Sequence, residues 1–196
     1  MSVFVKICGL TTPEGVAAVA EAGADAAGFV FSPSPREVTP ARARALAAAL
    51  PAGVRRVAVF RHPAPGWIAR VLEAFPADWV QSDAVDLSGA DLGGAEALPV
   101  LRSGAPLPPL LPELLLFEGP ESGAGRTADW EAAAALAAQV PVILAGGLHP
   151  ANVEAALASV RPWGVDVSSG VEPAPGVKDP ARIAAFVAAV RSFEQD

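Results

Sequence analysis

The segment VFVKICGLTTPEG, residues 3–15, introduces a pattern that the rest of the chain repeats. An apolar run, residues 3–8, ends at Cys8, and a Thr-Thr-Pro-Glu sequence then opens a stretch suited to an α-helix, because Thr caps helices and Pro fits their first turn. Alternation along the strand places Phe4, Lys6 and Cys8 on one face. The segment therefore predicts a strand followed by a helix, with a cation and a thiol on the same face of the strand.

Seven further apolar segments each precede a stretch of helical or irregular character. Strands are predicted at residues 3–8, 26–31, 56–60, 79–83, 98–102, 113–118, 140–145 and 164–168. Residues 84–97 and 103–112 are rich in Gly, Pro and Asp, so the helices after strands 4 and 5 are expected to be short or irregular. Eight strand–helix units favour an α/β fold, a single (β/α)8 TIM barrel domain over residues 1–196, with an open doubly wound sheet as the alternative.

The composition excludes several classes of partner. The net charge of -7 is spread along the chain without a basic cluster, which argues against nucleic acid. No apolar run approaches the ~20 residues that cross a bilayer, so we expect a cytoplasmic protein without a membrane partner. A single cysteine cannot form an internal disulfide. His62 and His149 lie at no metal-ligand spacing, so no metal site is predicted.

Closure of a barrel would make the first and eighth strands neighbours. In the eighth strand, alternation places Asp166 and Ser168 on one face, as it does Lys6 and Cys8 in the first. A buried ammonium needs a partner to keep its charge. The sequence therefore predicts a Lys6–Asp166 ion pair with a structural role for Lys6; an exposed lysine and an unrelated aspartate are the alternative.

The two last loops at the carboxyl ends of the strands contain glycines, in LAGGL (144–148) and VSSGV (167–171). Glycines let backbone N–H groups approach an anion, and α/β barrels commonly bind phosphate at this position. The loops therefore predict a phosphate site that involves Gly146, Gly147, Ser168, Ser169 and Gly170.

Two charged residues at the same end of the strands are candidates for substrate chemistry. Arg36 lies in the proline-stiffened loop FSPSPREV (31–38), and a held arginine can fork onto a carboxylate. Glu118 ends the sixth strand on the face of Leu114 and Leu116, where a carboxyl group could act as an acid. A surface arginine and a solvated loop carboxylate are the alternatives.

Several motifs together resemble one enzyme family. They are KICGLT (6–11), SPR (34–36), GAGR with DW (123–126, 129–130), LAGGL (144–148), and VDVSSGVE with PGVKD (165–172, 175–179). They are similar to phosphoribosylanthranilate isomerase of tryptophan biosynthesis, from end to end of the chain. The resemblance implies a TIM barrel that needs no cofactor, acts as an aldose–ketose isomerase on a small-molecule phosphosugar, and is a monomer or homodimer.

The resemblance also implies a reaction and roles for individual residues. The reaction is an Amadori rearrangement of N-(5-phosphoribosyl)anthranilate to 1-(2-carboxyphenylamino)-1-deoxyribulose 5-phosphate. Cys8 would be the base that removes the C2 proton, and Arg36 would hold the anthranilate carboxylate. The glycine-containing loops would hold the phosphate, and Asp83 and Asp166 join them as substrate-binding residues.

Two departures from the family pattern affect the expected site. The family acid is an aspartate at the end of strand six; counting back from Asp129 aligns Glu118 with it, whereas a longer loop would align Phe117. Strand four of the family usually reads Gln-Leu-His-Gly, but this chain has QSDA (81–84), so Asp83 replaces a histidine. A catalytically weakened phosphate-binding barrel and a related phosphosugar isomerase therefore remain alternative functions.

Overall fold

The predicted strands form a closed parallel barrel. The computed structural model describes residues 2–120 and 128–193. The strands are β1 Phe4–Cys8, β2 Ala26–Val30, β3 Arg55–Val59, β4 Trp79–Asp83, β5 Glu96–Arg102, β6 Leu115–Glu118, β7 Val142–Leu144 and β8 Gly164–Val167. Each pairs with its neighbours in chain order, and β1 closes on β8. The TIM barrel is confirmed, and the open sheet is excluded.

The helices cover the outside of this barrel unevenly. They are α1 Pro13–Ala22, α2 Pro40–Ala47, α3 Trp67–Ala74, α4 Ala84–Leu87, α5 Trp130–Ala137, α6 Val153–Val160 and α7 Pro180–Phe193, with a 3-10 turn at Ser169–Val171. The helix after β4 is a single turn, and no helix forms between β5 and β6, where every residue is described. This confirms the predicted irregularity, which follows from the cost of Gly and Pro in helices.

Helix starts follow the capping residues at most positions. Thr12 accepts a hydrogen bond from the Gly15 N–H at 3.2 Å, and α1 ends at Gly23 in the left-handed conformation, φ 71°. α6 begins at Val153, and its N-cap residue Asn152 makes no side-chain capping bond. The reason is that Asn152 uses its side chain on the preceding turn, where it bonds the His149 N–H and the Gly147 carbonyl.

Apolar side chains pack the interior of the barrel toward the amino-terminal ends of the strands. Side chains that face inward form an apolar layer of Ala26, Val57, Trp79, Leu98, Val100, Leu116, Ile143 and Ala145. Below it, the Phe4 ring stacks on Trp163 with 4.7 Å between ring centroids. Apolar groups therefore occupy the amino-terminal half, and polar inward-facing residues gather at the carboxyl ends of the strands.

The predicted Lys6–Asp166 ion pair spans the junction at which the barrel closes. The two residues are register partners of β1 and β8, and Lys6 Nζ lies 2.8 Å from Asp166 Oδ1. Burial alone lowers the pKa of the Lys6 ammonium, but the Asp166 carboxylate and Cys8 outweigh it and raise that pKa above its ordinary value. Lys6 therefore keeps its charge inside the protein. The predicted ion pair is confirmed, and the structural role of Lys6 stays a prediction.

The substitution Lys6→Met should lower the free energy of unfolding by about 3 kcal/mol, because it leaves the Asp166 carboxylate buried without its partner. Urea denaturation measures the change. The double variant Lys6→Met/Asp166→Leu removes both charges and should recover most of the loss. A single variant as stable as the wild type would contradict the structural role of the pair.

Candidate active site

A cavity of about 150 Å³ opens at the carboxyl ends of the strands. Five of the predicted site residues line it: Cys8, Arg36, Glu118, Asp166 and Ser168. They come from β1, the loop after β2, β6, and β8 with its following loop. Val30, Val59, Phe60 and Val100 supply apolar walls, which suit an aromatic group. The barrel thus brings together candidates for base, acid and carboxylate-binding group from distant parts of the chain.

Cys8 is the last residue of β1, at the carboxyl end of the strand, and is only 7% exposed. Gly28 on β2 makes room for it, since a Cβ at that position would lie 3.0 Å from the Cys8 sulfur. Burial raises the pKa of the Cys8 thiol above its ordinary value, against the opposing charges of Lys6 and Lys178. The free protein therefore holds a protonated thiol at neutral pH, which becomes a strong base once ionised.

Arg36 is held by a carboxylate of the protein itself. Its Nε and Nη2 donate to the two carboxylate oxygens of Glu172 at 2.9 and 2.7 Å. Lys178 Nζ donates to the same carboxylate at 2.6 Å. Burial alone raises the pKa of the Glu172 carboxyl, but its bonds with Arg36 and Lys178 outweigh burial and hold that pKa below its ordinary range. Arg36 therefore forks onto Glu172 with one edge of its guanidinium, and its binding of a substrate carboxylate stays a prediction.

Arg102 joins the candidate acid to the aspartate that replaces the family's histidine. It ends β5, lines the cavity, and contacts Glu118 through Nη1 and Asp83 through Nη2. The negative charge that Asp83 brings is thereby offset. Asp83 does not itself line the cavity, so its contact with substrate stays a prediction.

Asp83 also belongs to a group that could hold a metal ion. Donor atoms of His62, Asp83 and Asp86 lie within 4.8 Å of one another, the one such group in the described parts of the chain. The two His62 ring nitrogens, however, each face a different carboxylate at 3.6 Å. An ion could use only one of these nitrogens, and the group lies outside the cavity lining. We interpret it as a cluster of polar contacts, which the spacing of residues along the chain does not reveal.

The loops after β7 and β8 pack directly on one another. Gly146 and Gly147 have φ angles of 91° and 65°, and a Cβ on Gly170 would lie 1.9 Å from the Leu148 carbonyl oxygen. Ser168 donates to the Cys8 carbonyl at 3.0 Å and so ties the second loop to β1. The phosphate contacts of these glycines and of Ser169 stay predictions. The GAGR motif, residues 123–126, lies outside the described residues.

Four residues of this site had no predicted role: Gln81, Arg102, Glu172 and Lys178. Alternation in β4 and β5 turns Gln81 and Arg102 inward, so this signal could have found them. The buried Gln81 Oε1 has no hydrogen-bond partner among the described residues. Glu172 and Lys178 stand within the family motifs, but no local pattern indicates that they meet Arg36.

Comparison with known proteins identifies the family. A sequence model described as N-(5'phosphoribosyl)anthranilate (PRA) isomerase matches residues 110–189. The N-(5'-phosphoribosyl)anthranilate isomerase of Paracoccus denitrificans is 41% identical over 96% of this chain and 97% of its own length. The chain belongs to the phosphoribosylanthranilate isomerase family.

Solved structures of the family agree with this assignment. The phosphoribosyl anthranilate isomerase of Thermus thermophilus has a TM-score of 0.87 and 34% identity, covering 97% of this chain and all of its own. A second isomerase, in complex with reduced 1-(o-carboxyphenylamino)-1-deoxyribulose 5-phosphate, has a TM-score of 0.81 and 31% identity over 97% of this chain and 99% of its own. Within the described residues, no helix has the length and apolar character needed to span a membrane.

The Cys8 thiol should titrate above the ordinary cysteine pKa of ~8.5, because burial disfavours the thiolate. Thiolate absorbance at 240 nm measures this directly, since Cys8 is the chain's one cysteine. The variant Lys178→Met removes a cation that favours the thiolate and should move the midpoint higher. A midpoint at or below the ordinary value would show that the charges outweigh burial.

Proposed function

We propose that this chain catalyses the Amadori rearrangement of N-(5-phosphoribosyl)anthranilate to 1-(2-carboxyphenylamino)-1-deoxyribulose 5-phosphate, as one barrel domain without a cofactor. The observation that carries the proposal is that Cys8, Glu118 and Arg36 line one cavity. The reaction needs a base, an acid and a group that binds a carboxylate, and these residues supply them. Family membership supports this assignment.

Glu118 opens the ribose ring as the general acid. A proton passes from its carboxyl group to the ring oxygen as the bond between that oxygen and C1 breaks, while the anthranilate nitrogen forms a double bond to C1. A protonated Glu118 loses its attraction for Arg102, but Asp83 still pairs with that guanidinium. The Arg102–Asp83 contact therefore lets Glu118 change charge without leaving a cation isolated beside the cavity.

Cys8 acts in the second step as the base. The thiol first loses its proton to solvent, and Lys6 and Lys178 favour the resulting thiolate. The thiolate then removes the proton from C2, and the electrons shift so that a carbon–carbon double bond forms and the C1–N double bond becomes single. Return of a proton to C1 and loss of the hydroxyl proton at C2 give the ketone. The carboxyl end of β1 suits this role because Cys8 lines the same cavity as Glu118.

The remaining groups bind the substrate's two anionic ends. Arg36 holds the anthranilate carboxylate, and the loops with Gly146, Gly147, Ser169 and Gly170 hold the phosphate through backbone N–H groups. Because Arg36 and the phosphate-binding loops hold opposite ends of the substrate, the sugar between them is oriented toward the acid and the base.

The protein acts on a small phosphosugar as a monomer or a homodimer, with no nucleic acid or membrane partner. One structural relative, the isomerase of Thermotoga maritima, is described as a dimeric protein from which monomers were generated. A cytoplasmic location remains an expectation from the sequence.

Loss of anthranilate-type fluorescence on mixing the protein with freshly generated phosphoribosylanthranilate tests the function. We expect turnover by the wild type and none by Cys8→Ala, because the alanine has no group to accept the C2 proton. Retained activity in Cys8→Ala would remove Cys8 from the base role. No turnover by a wild-type protein that still binds phosphate ligands would instead favour the weakened barrel or an isomerase for another phosphosugar.

Glu118→Gln should lower kcat by roughly 100-fold or more, in line with loss of a general acid, and leave binding of a product analogue nearly unchanged. Asp83→Asn keeps Glu118 in place, so its kcat should fall far less. Steady-state fluorescence assays of both variants, with calorimetric binding, separate the two residues. A normal rate in Glu118→Gln together with a large loss in Asp83→Asn would assign the acid to Asp83.

A further inference from the structure

Glu172 occupies one edge of the Arg36 guanidinium and leaves the other available. A guanidinium carries five N–H donors in a plane, one on Nε and two on each Nη. Glu172 takes the Nε donor and one Nη2 donor. No other side chain in the described residues bonds this guanidinium, which lines the cavity. Three donors therefore remain, and those on Nη1 and Nη2 form a second fork that matches a carboxylate.

Lys178 fixes the carboxylate that holds Arg36. Its Nζ donates to Glu172 at 2.6 Å and to the Ser168 carbonyl and hydroxyl oxygens at 3.0 and 3.2 Å. Both Glu172 and Lys178 are buried, at 7% and 5% exposure. Two cations thus surround one carboxylate, so the cluster keeps a net positive charge and can receive a further anion.

Backbone from two other loops encloses the stem of Arg36. A Cβ on Gly9 would lie 2.5 Å from Arg36 Cδ, and a Cβ on Gly176 would lie 2.3 Å from the Pro35 carbonyl oxygen. Thr11 joins these loops through a hydrogen bond of 2.7 Å to the Gly176 carbonyl. The arginine is therefore restrained along its stem as well as at its head.

We infer that Glu172 and Lys178 are positioning residues that set the specificity for the substrate's carboxylate by presenting the Nη1–Nη2 edge of Arg36 to the cavity. The inference rests on the proposed function, in which Arg36 binds the anthranilate end. Fixing the guanidinium before substrate arrives lowers the ordering cost of binding. Glu172 and Lys178 thereby act on the substrate through Arg36 and do not contact it.

The test compares two ligands by calorimetry. One is reduced 1-(o-carboxyphenylamino)-1-deoxyribulose 5-phosphate, and the other is the same molecule without the carboxyl group. The wild type should prefer the first. In Glu172→Gln this preference should fall roughly tenfold, the size of a lost charged hydrogen bond, while affinity for the second ligand changes by less than about twofold. Glu154→Gln, at an exposed position of α6, removes the same charge and should change neither affinity.

A double-mutant cycle shows whether the effect passes through Arg36. Once Arg36→Met has removed the fork, adding Glu172→Gln should cause no further loss of preference. An equal loss of affinity for both ligands in Glu172→Gln would indicate a general structural role and overturn the inference. An unchanged preference for the carboxylate ligand would overturn it as well. A thermal unfolding measurement shows whether each variant is folded. If Glu172→Gln does not fold, Lys178→Met, which keeps the Arg36–Glu172 fork, should still reduce the preference roughly threefold.

Turnover of the wild type separates this inference from the proposed function. An active enzyme whose Glu172→Gln and Lys178→Met variants keep the full preference for the carboxylate ligand would overturn the positioning role alone. A wild type that neither turns over the substrate nor binds either ligand would overturn the proposed function and this inference together.

Discussion

The Lys6–Asp166 ion pair is the interaction on which the arrangement of the active end depends. It lies inside the barrel where β1 meets β8, and buried charges of opposite sign tolerate little separation. Slipping β1 against β8 by one residue would separate the pair and turn every side chain of β1 to the other face. The same register places Cys8 and Ser168 beside each other above the pair. Closure of the barrel and placement of Cys8, the proposed base, thus share one electrostatic constraint.

Above that pair, cations and carboxylates form two networks, each of which includes an arginine that lines the cavity. Arg36 and Lys178 share Glu172, and Arg102 joins Glu118 to Asp83. In a chain with a net charge of -7, these local cations let a substrate with two anionic ends approach. Each cation also has a protein partner, so the free site does not contain isolated buried charge. In the proposed function, the substrate's anionic ends bind to networks that the protein has already organised.

Local signals predicted most of the fold. Strand alternation and capping residues act over a few neighbouring positions, so they indicate the eight strands, the helix that follows Thr12, and the weak helices after β4 and β5. They do not indicate that Asn152, the N-cap residue of α6, bonds the preceding turn in place of capping the helix. Which of two nearby groups a side chain bonds depends on the path of the loop. The order of a few neighbouring residues does not specify that path.

The sequence by itself favoured the barrel, indicated the inward faces of the first, sixth and eighth strands, and placed Cys8, Arg36 and Glu118 at the carboxyl ends of strands or in the loops that follow them. It did so because periodicity and turn chemistry are short-range properties. Apart from the Lys6–Asp166 pair, only the tertiary structure decided which charges meet. Arg36 and Glu172 are 136 residues apart in the chain, and the cavity end of the barrel receives ionic side chains from several strands and loops. Pairing among them depends on distances of a few ångströms in three dimensions, and these distances exist only once the barrel has closed.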